Sequence, residues 1–144
     1  MILRSLMLAT LVALGPTSAL AEIARVKSAS GAAMVKRGAA IIPAKVGQSL
    51  NPGDWLETGK DGRMAVTFID NTRFAVGPNS RIAVSKFDYD RTRAQGNFVT
   101  QVSRGSLAVV SGKIAKSGKD AMKVQTPTSL LGVRGTRFIV EVPQ

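Results

Sequence analysis

The chain has 144 residues, no cysteine and no histidine, and a formal net charge of +11 at pH 7. The missing residue types exclude disulfide bonds, the commonest zinc ligands and the commonest general base. The length suits one domain with a single modest core, and the charge favours anionic partners such as envelope polymers, lipid headgroups or acidic protein faces.

The first 21 residues have the pattern of a secretory signal peptide. Residues 1–4 supply one positive charge, residues 6–14 form an apolar run, and small residues occupy the two recognition positions within 19–21. An uncleaved anchor is the alternative, but the run is shorter than the roughly 20 residues that span a bilayer. We predict cleavage after Ala21 and one domain over 22–144. The product would be periplasmic or secreted, not integral to a membrane, and away from nucleic acid.

Short β-strands separated by turns are predicted along the first half of this domain. Residues 34–38 and 55–58 are strand candidates, and turn-forming Gly, Asn, Pro and Asp surround the second. The clearest signal is a pair of alternating runs, 64–69 and 72–76, joined by an Asp-Asn pair. Because Asn and Asp tolerate positive φ, this pattern predicts a hairpin with a two-residue turn.

Strands continue through the second half. A turn at 77–80 precedes a third strand, residues 88–96 are polar and predict a loop, and residues 113–122 favour a basic loop over a helix because Gly118 interrupts them. Further strands are predicted at 98–102, 106–111, 122–126 and 136–142. The regular spacing of strands and turns predicts an all-β domain, either a compact antiparallel sandwich or a rolled β-solenoid of short strands.

Several short motifs, in this order and spacing, resemble the FecR domain family. They are residues 53–63 (GDWLETGKDGR), 68–72 (FIDNT), 80–84 (SRIAV), 105–109 (GSLAV), 125–127 (QTP) and 133–138 (VRGTRF). The family's usual Asp-Gly-Thr is Asp-Asn-Thr here, which keeps a residue suited to a left-handed turn. The resemblance covers about residues 31–142 and implies an extracytoplasmic all-β module without known catalytic residues.

The resemblance also implies what kind of function to expect. The best-known members relay an outer-membrane transport signal to a cytoplasmic sigma factor, using a cytoplasmic segment, a transmembrane helix and a further subdomain. We recognise no counterpart of those parts in this sequence, so the sigma-regulator role is not carried over. We predict a non-catalytic interaction or scaffold module that docks a cell-envelope protein, with a component of envelope signalling as an alternative.

The motif residues are predicted to be structural. Glycines there permit turns, Asp and Thr bond to backbone amides, and Arg134 pairs with a carboxylate such as Asp54 or Asp70. Ligand contact is the alternative for this set. Its members are Gly53, Asp54, Gly59, Gly62, Asp70, Thr72, Arg134, Gly135 and Thr136.

Catalytic and metal-binding interpretations find little support in the sequence. No Ser has Lys three residues later, and residues 88–90 lack the calcium-loop pattern because Arg residues follow them. Residues 112–119 differ from a phosphate-binding loop in spacing, and Asp120 stands where Ser or Thr is needed. We predict no enzyme activity, no metal and no cofactor.

A basic stretch provides the predicted functional surface. Four lysines lie within residues 113–123, and two arginines lie in the preceding polar segment. Together they predict an anion-attracting face, and a solvated loop is the alternative. An anionic envelope glycan or lipid headgroup is therefore the second candidate partner. The residues are Lys113, Lys116, Lys119, Lys123, Arg91 and Arg93.

Overall fold

The computed structural model describes residues 22–135 and 137–144, so the predicted signal peptide and Thr136 lie outside it. The described chain is built almost entirely of strands, which confirms the all-β prediction. In chain order the elements are β1 (Ala24–Ser30), β2 (Ala33–Arg37), β3 (Ala40–Pro43), β4 (Ser49–Leu50), β5 (Trp55–Thr58), β6 (Arg63–Phe68), β7 (Arg73–Val76), β8 (Arg81–Asp90), β9 (Gln95–Val110), α1 (Lys113–Ser117), β10 (Met122–Gln125), β11 (Leu130–Val133) and β12 (Arg137–Val142).

A long bent strand, β9, is the frame of the fold. Its first part pairs with β8 and its last four residues pair with β7, both antiparallel. The bend lies at Gly105, whose φ is +88°. At the bend the Ser106 amide donates to the Ser80 hydroxyl at 3.0 Å, and Ser80 is fully buried. This bond ties the two arms of the frame together at the corner.

The two parts of β9 carry two wings of one curled, half-barrel sheet. Wing A contains β4, β1, β6, β7, the end of β9 and β12, while wing B contains β3, β2, β5, β8, the start of β9, β10 and β11. Strand β10 runs parallel to β9, whereas the other described pairings are antiparallel. Hence β9 and β10 begin at the same end of the sheet.

Phenylalanines join the wings across the core. Phe68 and Phe74 project from wing A, and Phe98 projects from wing B with ring centroids 4.7 and 5.6 Å from theirs. Phe87 adds a stacked contact to Phe68 at 5.5 Å. Aromatic pairs at these separations contribute attraction beyond the area that they bury. Phe98 lies near the start of β9, and its neighbour Phe74 pairs in register with Val109 near the end of β9. Both parts of β9 therefore lie against the same end of the core.

Helix α1 covers that end of the core, where a basic loop was predicted. Ile114 and Ala115 are buried, and they face the core at the point where the chain crosses from wing A to wing B. The loop prediction for 113–122 is therefore wrong for Lys113–Ser117. Burial of these two side chains favours the helical turn despite the glycines on either side of it.

The β6–β7 hairpin is confirmed, but its loop is one residue longer than predicted. The Phe68 amide donates to the Thr72 carbonyl at 2.8 Å, which leaves three residues between them. Asn71 occupies the left-handed region with φ +70°. A type I turn followed by one left-handed residue is a common three-residue hairpin loop. The Asp70 carboxylate stabilises this loop by accepting from the Thr72 amide at 3.0 Å.

Two other segment predictions are wrong for related reasons. Residues 88–96 were predicted as a loop, but β8 continues to Asp90 and β9 begins at Gln95, which leaves a short turn. The predicted strands 98–102 and 106–111 are parts of the single strand β9. In the first segment, polar residues are paired between β8 and β9. In the second, Gly105 is paired with Val142 of β12, so backbone pairing continues where the sequence suggested a break. Strands β1, β3, β4 and β11 were not predicted.

Candidate functional site

Among the motif residues, Asp54 is a buried anchor and its partner is Arg37. The Arg37 guanidinium donates from Nε to Oδ1 at 3.0 Å and from Nη2 to Oδ2 at 2.9 Å, and the Asn51 amide donates to Oδ2 at 2.9 Å. The hydrogen bond from Arg37 to Asp54 raises the pKa of Arg37. Arg37 and the Asn51 amide bind the Asp54 carboxylate, and no bond joins Arg134 to it in the described part of the chain, so the predicted pairing of Arg134 with Asp54 is wrong.

Asp70 and Thr72 bind backbone amides, as predicted. Besides the Thr72 amide, the Asp70 carboxylate accepts from the Thr72 hydroxyl at 2.8 Å and the Ile114 amide at 3.1 Å. The Thr72 hydroxyl accepts from the Gly112 amide at 3.1 Å. Both side chains are fully buried. They hold α1 on the β6–β7 loop, and the predicted Arg134–Asp70 pair is wrong.

Two of the four predicted turn glycines, Gly59 and Gly62, have a clear steric reason. A Cβ on Gly62 would lie 2.0 Å from the Ala32 carbonyl oxygen, and one on Gly59 would lie 2.9 Å from the Ala32 Cβ. Gly53 has φ +88°. Gly135 is exposed, and its carbonyl accepts a hydrogen bond from the Ser111 hydroxyl. The close contacts of Gly59 and Gly62 are consistent with the structural role predicted for the motif, which remains a prediction for the set as a whole.

The predicted basic residues gather toward one end of the sheet. Arg91 and Arg93 lie in the β8–β9 turn, which precedes the start of β9. Lys113 and Lys116 lie on α1, which covers the same end, and these four side chains are exposed. Lys119, also exposed, lies in the connection that enters β10 there.

Two features make this basic end less uniform than predicted. Lys123 lies on β10 and is half-buried, paired in register with Val99. Acids also lie nearby, since Arg93 faces Asp90 at 3.8 Å and Lys86 faces Asp88 at 3.9 Å. Exposed pairs of this kind are weak, so they reduce the local charge only slightly. The basic end therefore keeps an excess of positive charge, with acidic side chains among the cations.

A second surface, which the sequence analysis missed, is the outer face of wing A. The strand register aligns three alanines across neighbouring strands, with a serine and an isoleucine at the two ends. We call this set the alanine row: Ser28, Ala65, Ala75, Ala108 and Ile139. Ile139 is 69% exposed and Ala75 is also exposed. Positions on the water-facing side of a half-buried sheet ordinarily carry polar side chains.

Cations border the alanine row along one side. The next outward positions on the same strands carry Arg25, Arg73 and Arg137, and Lys27 projects at the β1 bulge between the two rows. Arg25 binds Glu22, and this pairing lowers the pKa of Glu22 and raises that of Arg25. Within 22–135 and 137–144, the other three cations form no ion pair shorter than 4.0 Å.

Members of the alanine row and of the cation row line a shallow cavity of about 1020 Å³, which we call the wing A groove. Its floor is apolar, formed by alanines of the row together with Val110 and Ile139, and Lys27, Arg73 and Arg137 also line it. The sequence did contain a signal for it. Ala65, at an outward position, alternates with inward Met64 and Val66, so an apolar residue stands where a polar one is the norm.

Comparison with known proteins agrees with this architecture. The model of the FecR protein family matches residues 54–144, while no curated protein and no solved structure matches the chain. The family is non-enzymatic, associated with the cell envelope and with signalling. In the described part of the chain, no helix is long and apolar enough to cross a membrane. The family model covers more than half of the chain, and the chain belongs to the FecR family.

Proposed function

We propose that this protein is a non-catalytic, extracytoplasmic docking module that binds another cell-envelope protein through the wing A groove. The observation that carries the proposal is the alanine row, whose four apolar members lie side by side on β6, β7, β9 and β12 on a face open to water. Family membership supports an envelope role. In this proposal, cleavage after Ala21 releases residues 22–144 as one domain into the periplasm or the medium.

Surface apolarity alone does not carry this proposal, because single apolar side chains are common on protein surfaces. The groove differs in being contiguous and bordered by charged residues, which is typical of protein interaction sites. It also lies on paired strands, and a rigid surface loses little conformational entropy when a partner binds. Both properties favour docking over incidental exposure.

The chemistry of the groove also favours binding over catalysis. None of the described residues that line it carries a carboxylate. Paired-acid hydrolysis therefore has no candidate residues there. Elsewhere in the described chain the buried acids are engaged, Asp54 with Arg37, Glu57 with Arg81 and Lys36, and Asp70 with amides.

A double substitution in the floor tests the proposal. Ala75→Asp with Ala108→Asp places two charges where an apolar partner surface would pack, and both positions reach solvent in the free protein. Wild type in envelope extracts of its native host should elute from a sizing column as a complex, and the variant as the free domain. Ala39→Asp with Ala40→Asp is the matched control, since both alanines are exposed and lie outside the groove. Equal elution of wild type and groove variant would refute groove docking.

The basic end supports a second candidate function, binding of an anionic envelope glycan or lipid headgroup. Its support is topological: the parallel β9–β10 pair brings the β8–β9 turn and the connection into β10 to one end. Charges far apart in sequence thereby add to one local potential. This function uses a different face from the groove, so the two can be tested separately.

A further inference from the structure

The wing A groove has dimensions and charges that select one class of occupant. We propose that it receives an α-helix of the partner protein, lying across the strands with an apolar stripe on the alanine row and acidic residues toward the cations. This inference deepens the proposed docking function and rests on it.

The floor of the groove suits a helix. Alanine side chains are short, so a helix backbone can approach the sheet closely at Ala65, Ala75 and Ala108. Neighbouring strands are about 4.8 Å apart, so the row spans about 19 Å from β1 to β12. A helix rises about 1.5 Å per residue, and roughly 13 residues cover that distance.

The spacing of the cations distinguishes an α-helix from an extended peptide as the occupant. Lys27 on β1, Arg73 on β7 and Arg137 on β12 are each separated from the next by one intervening strand. Two strand spacings amount to about 9.6 Å. One heptad of an α-helix is about 10.5 Å long, so acids seven residues apart would face successive cations. In an extended peptide, side chains of one face repeat about every 6.7 Å, which does not match the cation spacing.

Other occupants fit less well. A second copy of this chain would bring the same cations against themselves, because a two-fold contact repeats one surface. A flat bilayer would contact mainly the longer Arg and Lys side chains that border the floor, and its acyl chains would not reach the short alanine side chains. A small molecule bound in this shallow groove would keep one side exposed to water, whereas ligand pockets bury most of the surface of their ligand.

Site-specific photo-crosslinking in the native host tests the inference with the full chain. A benzophenone amino acid replaces Ala75 in the groove, or Thr92 in the exposed β8–β9 turn as the control position. Mass spectrometry then identifies the crosslinked residue of the partner. The expected adduct lies in a segment with acidic residues seven apart, and that segment, made as a peptide, should gain helical circular dichroism when the purified protein is added.

Charge reversal supplies the second arm. Arg73→Glu with Arg137→Glu should weaken binding of that peptide at least about tenfold, since two attractive contacts become repulsive. Lys45→Glu with Lys60→Glu changes the net charge equally at two exposed lysines outside both the groove and the basic end, and should leave the affinity within about twofold. Melting curves of all variants establish that they are folded.

The outcomes distinguish failure of the helix inference from failure of the proposed docking function. An adduct with an extended or basic protein segment, or charge reversal without effect on the peptide, overturns the helix while groove docking stands. An adduct with lipid, or none from position 75, overturns both.

Discussion

Arg37 on β2 holds the buried carboxylate of Asp54 with two parallel hydrogen bonds, of 3.0 and 2.9 Å. The same guanidinium donates to the Ser49 carbonyl at 3.3 Å, so it joins the β2 end to the segment that precedes β5. Asp54 is 1% exposed and is the first residue of the family match. The pair therefore ties strand β2, which lies outside the family match, to its first residue.

Arg37→Ala should destabilise the protein because it leaves a buried carboxylate with only the Asn51 amide as a described partner. Hydrogen bonds to charged groups contribute about 1.5–3 kcal/mol, and the half-exposed Arg37 side chain places the expected loss of unfolding free energy at about 1–3 kcal/mol. Urea denaturation measures it.

Arg134→Ala is the matched control for that prediction. Arg134 is exposed, and such substitutions usually change stability by at most about 0.5 kcal/mol. The sequence alone predicted a stabilising role for Arg134 and assigned none to Arg37. An equal loss in both variants would contradict the assignment of Arg37 to Asp54.

Asp70→Ala should detach α1 from the β6–β7 loop. The substitution removes the acceptor for the Thr72 and Ile114 amides, and each buried group left unsatisfied costs about 1–3 kcal/mol. Hydrogen exchange should accelerate at the Ile114 amide before it does so in β9. Asp88→Ala, at an exposed acid, is the control and should leave exchange at that amide unchanged. Faster exchange spread evenly over the whole domain would count against a local role.

Gly105→Ala tests the corner of the frame. The new Cβ would lie 2.1 Å from the Ser80 hydroxyl oxygen at a residue with φ +88°. Gly47→Ala is a matched control, because Gly47 has the same φ of +88° but nothing within 4 Å of the added atom. Gly105→Ala should therefore lower the melting temperature clearly more than Gly47→Ala. Equal losses would show that the backbone angle alone, not the contact with Ser80, limits this position.

The sequence predicted the strands whose two faces differ in chemistry. Alternation identified β6, β7 and β12, where apolar side chains point to the core. Alternation failed at Gly105, which was taken as a break between two strands. There β8 pairs with β9 up to Arg104 and β12 pairs with it from Gly105 onward, so β9 continues through the bend. Charge and Gly content suggested a loop at 113–122, but burial of Ile114 and Ala115 determines the helix there.

Site prediction was limited in the same way. Asp54 and Asp70 accept hydrogen bonds from backbone amides, as expected from the sequence, but the side-chain partner of Asp54 could not be chosen among many arginines without the β2 register. The alanine row was missed because its members come from separate strands, and only the register brings Ala65, Ala75 and Ala108 side by side. One outward alanine on a single strand is weak evidence for an apolar surface. Three outward alanines aligned on neighbouring strands are strong evidence for one.

The predicted signal peptide determines the N-terminal residue that the mature protein should have. Protein recovered from the envelope fraction should begin at Glu22, since the predicted cleavage follows Ala21. Intact mass spectrometry measures this directly. Substitution of Ala21 by a bulky residue such as Phe should leave the precursor uncleaved. Recovery of wild type with residues 1–21 still attached would contradict the signal peptide.

The basic end predicts a salt-sensitive contact with anionic surfaces. Replacing Lys113, Lys116, Lys119 and Lys123 with Gln should preserve the melting temperature, because their side chains reach solvent and surface changes have small effects. The variant should be retained less than wild type on phosphatidylglycerol vesicles at low salt. Retention of wild type should fall as salt rises toward about 0.15 M, where the screening length is about 8 Å.

A matched variant decides whether that contact is local. Replacing Arg25, Lys27, Arg73 and Arg137 with Gln removes the same number of positive charges from the wing A face. If only the overall charge attracts the protein to vesicles, both variants should lose retention equally. A localised contact at the basic end requires the lysine variant to lose more, because a surface potential decays within a Debye length. Equal losses would leave the lysines as a solvated segment, and unchanged retention in the lysine variant would contradict any role for them in anion binding.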